Sequence, residues 1–175
     1  MKNRMGPFII CAFALSALIF SIPHPVTSQT KYLTTSELTV QADVIVTGKV
    51  NALKMEWNEN KSRIQTRDTI AVDETMKGNV DDGTLTVVIP GGEVDGVGEW
   101  YSHSARFKAD EEVVVFAKKD MKGRYRVTSG ERGKFLIEKD TKTGSKIIPN
   151  VGTLREFTTE VKKNVKSQQT IRKDG

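Results

Sequence analysis

The sequence predicts an all-β fold, mainly antiparallel, built as a sandwich or small barrel, with a short N-terminal helix and one C-terminal helix. Apolar residues recur with period two in a series of short segments. Gly and Asp turn signals separate those segments. No strand pattern alternates with long helical patterns, which argues against a parallel α/β sheet.

The chain opens with a leader. Lys2 and Arg4 precede the apolar run 7–22, PFIICAFALSALIFSI, and then come Pro23, Pro25 and Val26-Thr27-Ser28. Basic, apolar, breaker and small residues in that order read as a secretory signal peptide. Cleavage is expected after Ser28, with Val26 and Ser28 at the −3 and −1 positions. A retained anchor is the other reading, but the run is shorter than the roughly 20 residues that span a bilayer. The protein is therefore expected to be secreted or periplasmic. It meets a membrane only if the leader is kept.

Residues 29–42 begin the mature chain. Thr34-Thr35-Ser36-Glu37 is a capping box, with Thr34 as N-cap and Glu37 at N3. Leu33 and Leu38 occupy the two ends of a hydrophobic staple. One or two helical turns should end near Asp43. In DVIVTGKVNALKMEW (43–57) the pattern is period two, but the apolar parity changes midway. Val44, Val46, Val50 and Ala52 share one parity, and Leu53, Met55 and Trp57 the other. A strand that swaps its buried face needs a bulge or bend, which Gly48 and Asn51 are placed to supply. Bent strands of this kind help small barrels close.

WNENKS turns the chain into 62–76, where Ile64, Thr66, Ile70 and Val72 lie on one face and charges mostly on the other. Asp81-Asp82-Gly83 leads to a strand over 84–89, stopped by Pro90. The segment PGGEVDGVGEW (90–100) is a glycine-rich connector or ligand loop. Residues 112–119, EVVVFAKK, form a strongly apolar and central strand. Turns at 120–123 and 130–133 lead to RYRVTS and KFLIE. Thr153-Leu154-Arg155-Glu156 is a second capping box, and Leu154, Phe157, Val161 and Val165 then make an apolar helical stripe. The expected organisation is a signal peptide (1–28), a β domain with its short helix (29–151), a C-terminal helix packed on it (152–166) and a disordered basic tail (167–175).

Charge and residue types exclude several functions. The net charge is +5. Lys2 and Arg4 supply two of those charges and residues 161–175 a net four, so residues 29–160 sum to −1. A nucleic-acid surface needs its basic residues on the folded body, so no nucleic-acid partner is expected. The one cysteine of the chain, Cys11, leaves with the leader. His24 leaves too, and His103 is then the single histidine. Zinc sites cannot be assembled from that inventory. Ser102 and Ser104 flank His103, but neighbours along a chain rarely meet as nucleophile and base, and no G-x-S-x-G elbow is present. Calcium would accept oxygens from Glu93, Asp95 and backbone carbonyls, yet no EF-hand spacing occurs. No metal and no cofactor are expected. Asn60-Lys61-Ser62 is a glycosylation acceptor pattern, relevant only in a eukaryotic secretory pathway.

The loop 90–100 lacks the Gly-Lys-Ser/Thr signature of a phosphate cradle, and its carboxylates would repel phosphate. Its glycines suit positive φ and close backbone approach. Trp100, Tyr101 and Phe107 either pack beneath it or, in the case of Trp100 and Tyr101, stand exposed as a recognition surface.

ADVIVTGKV (42–50), VDETMKG (72–78), LTVVIPGG (85–92), FKADEEVVVFAKK (107–119), YRVTSGERGKF (125–135) and TLREFTTEVKK (153–163) together resemble a group of exported bacterial proteins of unassigned function. The PGGEVDGVG loop is the most distinctive part of the likeness. More distantly, the order of ADVIVTGKV, VDETMKG, PGG and an apolar strand resembles netrin-like domains and tissue inhibitors of metalloproteinases. That likeness implies a small OB-like β-barrel. It does not carry the inhibitory wedge, because the expected mature N-terminus is Gln29 and no cysteine remains.

The function expected from the sequence is an exported, non-catalytic β-barrel module that binds a protein, peptide or cell-envelope component. Its binding residues are expected to be Glu93, Asp95, Glu99, Trp100, Tyr101 and His103. The alternatives are a protease inhibitor of the netrin-like type and a hydrolase using His103 and the loop carboxylates.

Overall fold

A computed structural model describes residues 33–173. The leader, its cleavage position and residues 29–32 lie outside the described residues, as do 174 and 175. Helix α1 (Thr35–Gln41) starts at the first capping box: the Glu37 N–H donates to Thr34 Oγ1, and the Thr34 N–H donates back to Glu37 Oε2 at 2.8 Å. Leu38 is buried, and Leu33 packs in the same cluster, as a staple requires.

Ten strands follow: β1 (Val44–Trp57), β2 (Ile64–Lys77), β3 (Thr84–Pro90), β4 (Gly92–Val94), β5 (Val97–Glu99), β6 (Glu112–Lys119), β7 (Tyr125–Val127), β8 (Lys134–Lys139), β9 (Lys146–Ile148) and β10 (Gly152–Thr153). Strands β1, β2, β3, β7 and β6 pair in that order, and β6 pairs back on β1. The sheet is thereby closed into a five-stranded barrel. Every one of these pairings is antiparallel except the short β3–β7 contact, Val87 against Tyr125, which is parallel. The result, among the described residues, is a small OB-like barrel with two helices. Strands β8, β9 and β10 extend the sheet from the first half of β6, on the edge that β7 occupies at its end.

Closure depends on β1 bending. Its register against β2 slips between Ile45 and Val46, between Thr47 and Gly48, and between Val50 and Ala52. The last two slips fall at the positions where the parity change asked for a bulge. At Gly48 a Cβ would lie 2.2 Å from the Ala71 carbonyl oxygen, so the close approach of β2 requires glycine there.

Two cores sit on either side of the barrel wall. Val44, Val46, Val50, Ile70, Val87, Val113 and Val115 fill the interior. Ile45, Val114 and Phe116 point outward beneath the helices. This explains why β6 reads as a continuous apolar run: both its faces are buried. Helix α2 (Leu154–Lys173) brings Phe157, Val161 and Val165 onto that outer core. The Phe157 ring lies 4.8 Å from Phe135 and 6.4 Å from Phe116, centroid to centroid. Its capping box forms as the sequence predicts, with Thr153 Oγ1 accepting from the Glu156 N–H.

Three features differ from expectation. Residues 167–173 continue helix α2, where an unstructured tail was expected from 167. Gln168 there accepts a hydrogen bond from Lys77 Nζ at 3.2 Å, so the helix is held beyond Val165, where its buried apolar stripe ends. The connector 90–100 is not an irregular loop: β4 and β5 pair as a separate hairpin, with Asp95 (φ 52°) and Gly96 (φ 78°) at its tip. An Asp-Gly pair with both φ positive is the two-residue turn whose twist matches antiparallel strands. Strands β9 and β10 were not legible in the sequence.

A cavity at the barrel mouth

Residues 64 to 72 of β2 alternate, and the even positions face inward. Ile64, Thr66, Asp68 and Ile70 are all buried. The inward stripe thus includes a carboxylate at a position where the fold places apolar side chains. Asp68 is 1 % exposed. Its Oδ1 is buried and has no hydrogen-bond partner. Burial pushes its pKa up to about 7, with Glu111 pushing the same way and Lys134 opposing.

Asp68 lines a cavity of about 280 Å³ at the mouth of the barrel. Leu53 and Met55 of β1, Ile89 and Pro90 of β3, and the loop residues Ala105 and Phe107 supply apolar wall. Trp100 and Tyr101 stand over it, 60 % and 37 % exposed. The Arg106 guanidinium lies 4.8 Å from the Trp100 ring, a cation–π contact that holds both at the rim.

The floor is shaped by glycines. The Thr66 hydroxyl donates to the Gly91 carbonyl at 2.7 Å inside the protein. A Cβ at Gly91 (φ 95°) would lie 2.5 Å from the Glu99 carbonyl oxygen, and one at Gly92 (φ 137°) 2.8 Å from Thr66 Oγ1. The two glycines let the hairpin root lie flat against β2 and across its own return strand.

Behind Phe107, a charged pair closes the loop 100–111 onto the barrel. Lys134 Nζ sits 2.5 Å from Glu111 Oε1 and donates to the Arg106 carbonyl. The same Glu111 oxygen accepts from the Lys108 N–H at 2.9 Å. Lys134 also stands 4.7 Å from the Phe107 ring centroid.

The six residues predicted as a binding set are divided by the fold. Trp100 and Tyr101 line the cavity, and Glu99 accepts from the Tyr101 hydroxyl at 3.0 Å, so these three form one edge. Glu93 and Asp95 lie on the hairpin and are exposed; the Glu93 N–H meets Met55 Sδ at 3.3 Å. His103 faces elsewhere. It is left-handed (φ 58°), and its Nδ1 is 3.1 Å from Glu131 Oε1 across the 3-10 turn Gly130–Gly133. Its side chain is 82 % exposed.

Sequence reasoning missed Asp68, Lys134, Glu111 and Arg106. Asp68 carried a signal, since it shares parity with Ile64, Thr66, Ile70 and Val72. The others carried none, because loop closure decides where they meet. Among the described residues no group of three or more His, Cys, Asp or Glu is arranged to hold a metal ion. The chain matches no protein-family model and no curated protein sequence.

Proposed function

We propose that this chain is an exported, non-catalytic binding module of the OB type, and that it holds its protein, peptide or envelope partner through the cavity at the barrel mouth. The observation that carries this is Asp68. A buried carboxylate without a hydrogen-bond partner costs several kcal/mol. At the mouth of a cavity such a group is where a ligand gains most by supplying the missing partner. The exposed Trp100 and Tyr101 beside it are the residue types that anchor recognition. Export is supported by the leader pattern of 1–28 and by the resemblance to exported bacterial proteins.

A pull-down from the envelope fraction of the source cells tests the reading, with the wild-type chain beside a variant carrying Trp100→Ala and Tyr101→Ala. Partners should be depleted at least tenfold in the variant. Equal recovery by both forms would remove the cavity as the binding site.

A further inference from the structure

We infer that the cavity takes a primary ammonium group carried on an apolar stem, and that Asp68 is its counter-ion. This rests on the cavity being the binding site and names the chemistry of what enters it.

Charge balance inside the barrel mouth leads to this conclusion. Three ionisable side chains are drawn into the protein there: Asp68, Glu111 and Lys134. Lys134 is committed to Glu111 and to the Arg106 carbonyl. That pair is neutral, and Asp68 is left as a carboxylate with a bare buried oxygen. The other cations facing the cavity belong to the loop. Arg106 is exposed and stacked on Trp100, and Lys108 is exposed. The walls from β1 and β3 that close around Asp68 are Leu53, Met55, Ile89 and Pro90, with no charge among them.

An occupant must therefore do two things. It must bring a donor, preferably a positive one, to the Asp68 oxygen. It must also present apolar surface to the walls. Uncompensated burial of one charge is expensive, and a well-placed, hydrogen-bonded partner of opposite sign offsets that cost. The Tyr101 ring at the rim favours the same sign of ligand, since a ring face attracts ammonium. The raised pKa of Asp68 agrees, being what an acid shows when its counter-ion is missing. A cavity of about 280 Å³ admits one lysine-sized or arylalkyl group, not a chain segment.

Two sources share this chemistry: a free amine, or a lysine side chain of a partner. The test titrates the full chain calorimetrically with phenethylammonium, with its neutral isostere 2-phenylethanol, and with Nα-acetyl-lysine methylamide. At pH 8 at least one of the two ammonium probes should bind tenfold or more tightly than the alcohol. Asp68→Asn should erase that preference. Tighter binding of the lysine probe assigns the source to a partner's side chain, and tighter binding of phenethylammonium to a free amine. Because Asp68 must lose its proton to pair, affinity should fall about tenfold from pH 8 to pH 6. Binding at pH 6 should release close to one proton, read from the buffer dependence of the heat, which needs no variant. Equal binding of ammonium and alcohol, or no proton release, overturns the inference and leaves the cavity reading intact. No binding by any of the three probes also overturns it. The cavity reading falls with it only if the Trp100 and Tyr101 variant keeps its partners.

Discussion

Lys134 and Glu111 meet at 2.5 Å with 14 % and 12 % of their side chains exposed, and the contact joins strand β8 to the loop that roofs the barrel mouth. Both partners also bond the backbone of the loop, Lys134 at the Arg106 carbonyl and Glu111 at the Lys108 N–H. The pair thus determines where Phe107 and Arg106 stand, and through them the shape of the cavity above Asp68.

Lys134→Met should therefore destabilise the protein by about 3–5 kcal/mol, because it leaves Glu111 buried without a counter-charge. Adding Glu111→Leu should recover most of the loss. Urea denaturation of the two variants measures this. A single variant as stable as wild type would show that the pair is not holding the loop.

Asp68 gives the stability a pH dependence of unusual sign. Its pKa in the folded protein, about 7, is above the ordinary carboxylate value, so the folded state holds a proton that the unfolded chain has released. Stability from this group is complete below about pH 4 and is lost as pH rises through 7. The whole effect amounts to about 4 kcal/mol. Asp68→Asn should therefore gain on wild type as pH rises from 4 to 8. Thermal unfolding across that range checks it, and parallel profiles for the two proteins would refute it.

Gly91 and Gly96 both have positive φ, but they differ in surroundings. A Cβ at Gly91 meets the Glu99 carbonyl at 2.5 Å, whereas one at Gly96 meets nothing within 4 Å. Gly96→Ala should cost about 1 kcal/mol, the left-handed backbone penalty alone. Gly91→Ala should cost clearly more and should shift Trp100 fluorescence, since the hairpin root must move. Equal melting temperatures for the two variants would contradict the close approach at Gly91.

Phe157 is the centre of the helix contact, fully packed against Phe116 and Phe135. Phe157→Ala should cost about 3–5 kcal/mol. His103→Ala, at an exposed side chain whose partner Glu131 is also exposed, should change stability by less than about 0.5 kcal/mol. The contrast between the two in one denaturant series separates packing from surface pairing.

Elements whose signals are local could be read from the residues in order along the chain. Both capping boxes, the staple at Leu33 and Leu38, the apolar stripe of α2 and the bend of β1 near Gly48 follow from neighbours a few residues apart. So does the double burial of β6, visible in its uninterrupted run. The turn at Asp95-Gly96 was equally local, although the hairpin it makes was not anticipated. Tertiary structure alone decided the site. Whether Asp68 faces water or the barrel interior depends on β1 closing against β6, which brings together residues some 70 positions apart. The meeting of Lys134 with Glu111, and of Arg106 with Trp100, depends on the path of the loop 100–111. Within that loop His103 takes a left-handed backbone and meets Glu131, although it lies three residues from Trp100. Periodicity reports which face of a strand is apolar, but the chemistry of a cavity arises where several elements converge, and that convergence leaves no pattern along any one of them.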